Sequence, residues 1–309
     1  MRTRRLLLAP IALVLTLLGT ACTHPSTQTG ASSPAAAAAP SSAHGTSSAR
    51  GTTAATTGAP VPRFAHVVVV VMENRAYRDI IGNPQAPYLD GLARKGLSLT
   101  QSFAVEHPSQ PNYLALFAGS TQGISNDSCP HTFAGPNLGS ALIAAGDSFT
   151  GYSESLPAAG YTGCTSGSYA RKHNPWADFG DLPSSVNQPF SAFPRDYTRL
   201  PTVSFVIPNL DHDMHDGTVT QGDQWLRSNV GGYASWAVTN ESLLIVTWDE
   251  DDGSQRNQIC TILTGADLLP GTDGTPVSHY SLLRTLEDAY GLAHLGSSAN
   301  VASLTGIWQ

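Results

Sequence analysis

Apolar positions along this chain fall into two alternating patterns from about residue 62 onward. Short continuous runs occupy 66–71 (one histidine and five valines), 97–104, 149–152, 201–207 and 242–248. Runs of this length and β-branched character predict strands buried on both faces. Between them the spacing turns helical, over 86–96 up to Gly96, over 111–118, 137–146 and 222–238, and in a closing segment at 278–290. Trp225, Leu226 and Trp236 are the expected core anchors of the 222–238 helix. Strand and helix in alternation predict an α/β domain, a mostly parallel sheet with helices on both faces. The stretch 153–200 carries little periodicity and is expected to be a long loop region covering the site.

Upstream of this domain the pattern is of another kind. Arg2, Arg4 and Arg5 precede an apolar stretch, 6–18, too short to span a bilayer comfortably, and small residues lead into Cys22. That is the order of an export signal, with Cys22 placed to become a lipid-bearing first residue. Residues 23–60 are almost entirely Ala, Ser, Thr, Pro and Gly. Such a segment cannot fill a core and reads as a disordered tether. The expected organisation is a signal peptide over 1–21, a tether over 22–61 and one catalytic domain over 62–309. No later segment is long and apolar enough to span a membrane, so the expected membrane contact is the Cys22 anchor alone, on an extracellular or surface-bound monomer.

The formal charge is −7, and losing the three leader arginines makes it more negative. This argues against a nucleic-acid binder, although a local cation or helix end can still serve an anionic ligand. In an oxidising compartment Cys129 and Cys164, both in loop-like sequence, are expected to pair; Cys260 is expected to be a buried free thiol.

In open α/β sheets ligands gather beyond the carboxyl ends of the strands. Four such ends here carry chemistry. Glu73 and Asn74 follow the valine strand and offer oxygen ligands for a hard divalent cation, with Ser109 as a further ligand. Ser109 itself stands ahead of the helical run 111–118, as an ordinary cap or as a nucleophile in the field of a helix N-terminus. Asp211-His212-Asp213-Met214-His215-Asp216-Gly217 follows the 201–207 strand. There His215 is the stronger candidate acid, because Asp213 and Asp216 can orient it and Gly217 allows close backbone approach. Asp249-Glu250-Asp251-Asp252 follows the fourth strand, and acids this crowded need a positive partner. Gly253 does not fit an EF-hand loop, because Trp248 would take the first ligand position. Arg171-Lys172-His173, inside the long covering region, is either a solvated run or the cationic wall of a phosphate pocket. His279, just before the closing helix, reads as a capping or core residue. There is no Gly-x-Ser-x-Gly elbow, Walker loop or dinucleotide fingerprint.

Met72-Glu73-Asn74-Arg75, His107-Pro108-Ser109-Gln110-Pro111-Asn112-Tyr113, the His215 segment, Thr247-Trp248-Asp249-Glu250-Asp251-Asp252-Gly253 and Ser278-His279-Tyr280-Ser281 together resemble the phosphoesterase family. That family joins bacterial acid phosphatases with non-specific phospholipases C inside the alkaline-phosphatase-like superfamily. The resemblance spans nearly all of residues 64–309. It is strongest to secreted acid phosphatases that act on phosphatidylinositol 3-phosphate, through Ala170-Arg171-Lys172-His173 and Asp213-Met214-His215-Asp216-Gly217. It implies a three-layer α/β sandwich, with Ser109 as the nucleophile that becomes phosphorylated. Glu73, Asn74, Asp249 and Glu250 would hold one divalent metal with it. His173 and His215 would be pocket histidines with catalytic roles. Asn112, His107, Lys172, Arg171 and His279 would serve the substrate, a small-molecule or lipid phosphomonoester. Phospholipase members carry Asp-His-Val-Pro-Pro after the acidic motif, where this chain has Ser254-Gln255-Arg256-Asn257, which weighs against phosphodiester cleavage. Two alternatives stay open at this point: a phospholipase C, and a lipoprotein that binds phosphorylated ligands without turnover.

Overall fold

Val67 to Val71 are all buried, and their alternation divides the molecule into layers. A computed structural model describes residues 59–309. The expected leader and most of the tether lie outside the described residues. Ala59 and Val61, from the range expected to be tether, pack against the core.

The elements follow in order: β1 (His66–Met72), α1 (Tyr77–Ile80), α2 (Pro87–Lys95), β2 (Leu97–Phe103), α3 (Ser109–Ala118), α4 (Leu138–Ala144), β3 (Phe149–Ser153), the hairpin β4 (Thr165–Ser166) and β5 (Tyr169–Ala170), β6 (Asn187–Pro189), β7 (Val203–Ile207), α5 (Val219–Asn229), α6 (Gly231–Ala237), β8 (Ser242–Trp248), β9 (Gln258–Gly265), β10 (Gly271–Asp273), β11 (Val277–Ser278) and α7 (His279–Tyr290). The main sheet runs β10-β2-β9-β8-β1-β7-β3-β6, with β11 beside the end of β2. β9 is antiparallel to both its neighbours, and the other pairings are parallel. The mostly parallel sheet read from the sequence is therefore present. The odd positions Val67, Val69 and Val71 face a core shared with α3, α4 and α7, exemplified by Leu114, Phe117, Leu142 and Leu283. The even positions Val68, Val70 and Met72 face Leu89, Leu92, Trp225, Leu226 and Ala234 of α2, α5 and α6. A sheet covered on both faces is why the strands read as unbroken apolar runs rather than alternating ones.

Two features differ from the expectation. The 222–238 helix is two helices, interrupted at Val230, where the backbone leaves helical geometry (φ −121°, ψ −6°) ahead of the Gly231-Gly232 pair. β9 was not foreseen as a strand. It turns back from β8 through residues 249–257, so the acidic run sits in a hairpin connection.

The 153–200 region is irregular, as expected, with the small β4–β5 hairpin, the edge strand β6 and several single 3₁₀ turns, one of them Arg171–His173. It is stapled by the disulfide Cys129–Cys164, and Cys260 is a buried free thiol, both as read from the sequence. No helix among the described residues is long and apolar enough to cross a membrane.

α3 ends at Gly119 in the left-handed region (φ +67°). A Cβ there would fall 1.9 Å from the Leu295 carbonyl oxygen, and the Ser297 N–H donates to the Gly119 carbonyl at 2.7 Å. Only glycine meets both demands, so the far end of α3 is clasped by residues 295–297.

Candidate active site

β1 and β8 run in register to their ends, Met72 opposite Trp248, so Glu73 and Asp249 leave the sheet side by side. The Asp249 N–H donates to the Met72 carbonyl at 2.9 Å, and the Asn74 N–H donates to Asp249 Oδ1 at 3.2 Å. Asn74 sits at φ +49°, a conformation asparagine tolerates better than most side chains. From the next strand, β2, the chain enters α3 and brings Ser109 over the same rim.

Ser109 is not the helix cap. Pro108 holds that position and Ser109 is the first helical residue, two places ahead of the expected start at Pro111. Its hydroxyl is therefore free for other partners. It faces two carboxylates, lying 3.0 Å from Glu73 Oε2 and 3.2 Å from Glu250 Oε1. All three residues are buried. A single hydroxyl proton can satisfy one of them at a time.

Asn74 reaches over the same pair. Turned with its nitrogen inward, its amide donates to Glu73 Oε2 at 3.0 Å and Glu250 Oε1 at 3.2 Å. With the oxygen inward, four oxygens converge, from Ser109, Glu73, Glu250 and Asn74. A buried oxygen cluster with more negative charge than donors fits a hard divalent cation. Asp249 adds to the case, because its Oδ2 is buried with no hydrogen-bond partner among the described residues. Burial, then Glu73 and Glu250, push the Asp249 carboxyl well above the usual carboxylate range. Burial and Glu73 likewise raise Glu250, against the opposing pull of His107.

The other oxygen of Glu73 faces a different set. Oε1 accepts from the Tyr113 hydroxyl at 2.6 Å and lies 3.0 Å from His173 Nε2. His173 Nδ1 lies 3.4 Å from Asp213 Oδ2, and Tyr113 stacks on the imidazole at 5.1 Å between centroids. Burial works against charge on both Glu73 and His173, yet each charge is held by the other. Glu73 falls to about 2 and His173 rises to about 9. Asp213 goes the other way, to about 6, because burial outweighs its share of His173 and Glu73 repels it. Ligand atoms of Glu73, His173 and Asp213 lie within 4.8 Å of one another, close enough for a metal. On this side a metal would have to displace the His173 proton, whereas the oxygen side of Glu73 offers carboxylates and a hydroxyl to a cation directly.

His215 is half-buried. Its Nδ1 meets Asp216 Oδ1 at 2.7 Å, its Nε2 lies 3.5 Å from Lys172 Nζ, and its ring is 5.9 Å from that of His173. Asp216 orients the ring as expected. Asp213 does not; its Oδ1 accepts the His215 backbone N–H at 2.7 Å while its other oxygen serves His173. Gly217 does permit close approach, since a Cβ there would lie 1.8 Å from the Asp211 carbonyl oxygen. His107, partly exposed, pairs with Glu250 through Nδ1 and lies 3.3 Å from Asp251 Oδ1 through Nε2.

Three expected substrate groups are engaged elsewhere. Arg171 is buried, with Nε on Asp178 at 2.9 Å and its terminal nitrogens on the carbonyls of Thr162, His131 (2.7 Å) and Ala177 (2.8 Å). It is a loop organiser, with four of its five N–H donors held by Asp178 and backbone carbonyls. Asn112 accepts the Val105 and Glu106 N–H groups and donates to the Glu106 and Pro108 carbonyls, which fills its capacity and shapes the loop before Ser109. His279 lies 2.7 Å from the Asp249 carbonyl through Nε2, and burial lowers its pKa to about 4, so it is a neutral donor beneath the acidic turn. Of the basic run, Lys172 and His173 stay at the site. Tyr113 and Asp127 were missed. Tyr113 could have been found from its i, i+4 spacing to Ser109 on α3, whereas nothing local marks Asp127. A cavity of about 780 Å³ between α2, α5 and α6 shares no residue with this cluster.

Sheet order, helical layers and a rim of acids around a helix-borne serine define a protein of the alkaline-phosphatase-like fold. A member of that superfamily from Vibrio parahaemolyticus aligns with a TM-score of 0.56 at 14% identity, over 80% of this chain and 73% of the other. The chain belongs to the phosphoesterase family, whose sequence profile matches residues 83–293. It is 55% identical over 251 residues to a phosphatidylinositol-3-phosphatase of Mycobacterium tuberculosis, covering 80% of this chain and 84% of the relative. It is 32% identical over 248 residues to an acid phosphatase of Aspergillus fumigatus, covering 74% of this chain but only 55% of the relative.

Proposed function

We propose that this protein is an exported phosphoric monoester hydrolase working through a phosphoserine on Ser109. The observation that carries the reading is the Ser109 hydroxyl, buried at the start of α3 between two carboxylates. Both relatives are named as phosphatases, one of them for phosphatidylinositol 3-phosphate. The substrate is accordingly a small-molecule or lipid phosphomonoester.

In the reading proposed, Ser109 Oγ attacks phosphorus as its proton passes to a carboxylate. Glu250, with its raised pKa and its His107 partner, is the better acceptor than Glu73. The phosphorus–oxygen bond to the alcohol breaks, and His215 supplies the proton that the leaving alkoxide takes. Water then attacks the phosphoserine and frees inorganic phosphate. Lys172 balances the charge of the phosphoryl oxygens. Glu73, Asn74, Asp249 and Glu250 would hold one divalent cation, which would supply positive charge to the serine oxygen and the phosphoryl group when bound.

The disulfide fits an oxidising compartment, and with the leader and Cys22 it supports an exported, lipid-anchored protein. Ser109→Ala should lower turnover of p-nitrophenyl phosphate by roughly 10³-fold or more; substantial remaining activity removes the nucleophile assignment. Elemental analysis should find about one divalent ion per chain, lost in Glu250→Gln. A metal-free protein that stays fully active in chelator removes the cation. Release of phosphocholine in place of inorganic phosphate from lipid substrates would favour a phospholipase C instead.

A further inference from the structure

The first turn of α3 and the ammonium beside it are both already bound by an anion belonging to the protein. Asp127 Oδ1 accepts the backbone N–H of Gln110, the residue after Ser109, at 3.0 Å. Its Oδ2 accepts from Lys172 Nζ at 2.8 Å, and that ammonium is the one lying 3.5 Å from His215 Nε2. A helix N-terminal amide and a lysine next to the nucleophile are what a phosphoryl oxygen would use. One carboxylate holds both.

The covalent frame around it keeps the pair together. Cys129, two residues beyond Asp127, is crosslinked to Cys164, whose carbonyl accepts the N–H of Arg171 at 2.9 Å, next to Lys172. Within that frame the Asp127 side chain is 28% exposed, so it has solvent to swing into.

We propose that Asp127 is an internal competitor of the substrate, an anion that the phosphoryl group must displace from Gln110 and Lys172 in order to bind there. The proposal rests on Ser109 acting on phosphoryl groups. The sign of the exchange follows from charge. Exchanging a carboxylate for a diester monoanion leaves the charge in the seat unchanged. Exchanging it for a monoester dianion places one further negative charge against Lys172 and the positive end of α3. The dianion therefore gains where the monoanion only breaks even.

The test compares kcat/KM for p-nitrophenyl phosphate and bis(p-nitrophenyl) phosphate at pH 7.5, where the monoester is mostly a dianion. In Asp127→Asn both values should rise roughly tenfold, chiefly through KM, because the two esters share the cost of displacing Asp127, and inhibition by inorganic phosphate should tighten by a similar factor. Values unchanged or lowered for both esters, with phosphate inhibition no tighter, overturn the proposal. A wild-type protein inactive on p-nitrophenyl phosphate would instead defeat the phosphatase reading. In that event calorimetric binding of inorganic phosphate decides, with tighter binding to Asp127→Asn in favour and equal or weaker binding against. Should the variant not fold, a crystal structure of the wild type with phosphate bound gives the answer. Asp127 away from the Gln110 N–H supports displacement, and Asp127 unmoved beside bound phosphate refutes it.

Discussion

His173 and His279 are equally buried and stand on opposite sides of one acidic cluster, yet their pKa values move apart, to about 9 and about 4. Burial penalises the charged imidazole in both places. His173 lies between two carboxylates, Glu73 and Asp213, whose combined field exceeds that penalty. His279 meets Asp249 only through its backbone carbonyl, a dipole too weak to do the same. The acids around this site thus divide into those with a resident cation and those without. Glu73 belongs to the first group, while Asp249 and Glu250 are left with raised pKa values and room for an added positive charge.

The widest break in this comparison comes from removing the His173 cation. His173→Gln strands two buried carboxylates and should cost about 3–5 kcal/mol in urea unfolding. A cost near zero would mean that His173 is not charged in the fold. The pH dependence sharpens the contrast. His173 has a raised folded pKa, so its stabilisation is complete below pH 6.5 and is lost as pH rises through about 9. His279 has a lowered one, so stability is complete above pH 6.5 and declines as pH falls toward about 4, where the unfolded chain takes up the proton first. The raised pKa values of Asp213, Asp249 and Glu250 oppose the His279 loss on the acid side, so each titration is read as the difference between wild type and variant. His173→Gln should flatten the alkaline arm, and His279→Gln should remove its own share of the acid arm. An arm unchanged by its own variant would assign that titration elsewhere. The smallest effect is the pH-independent one at His279: His279→Gln should cost about 1–3 kcal/mol for the lost buried hydrogen bond.

The layers were legible because continuous apolar runs report burial on both faces, and the valines of β1 do little else. β9 was not, because Gln258 to Gly265 mixes Cys, Thr and Gly into its apolar positions and follows a polar hairpin. At the site, the clustering of Glu73, Ser109, Asp249 and Glu250 follows from strand ends sharing a rim, which periodicity can place. The roles of Arg171 and Asn112 did not follow. Whether a polar side chain points at a ligand or at its own loop depends on backbone carbonyls that sequence does not locate, such as those of Ala177 or Pro108. Asp127 was invisible for the same reason. Its partners, Gln110 and Lys172, are 17 and 45 residues away, and the fold alone brings them together.

The clasp at Gly119 also has a consequence in time. The helix that carries Ser109 is closed at its other end by residues 295–297, which lie far from it in sequence. A contact between segments so far apart in sequence must wait for a long loop to close, so this end of the helix is tied down after its local structure has formed.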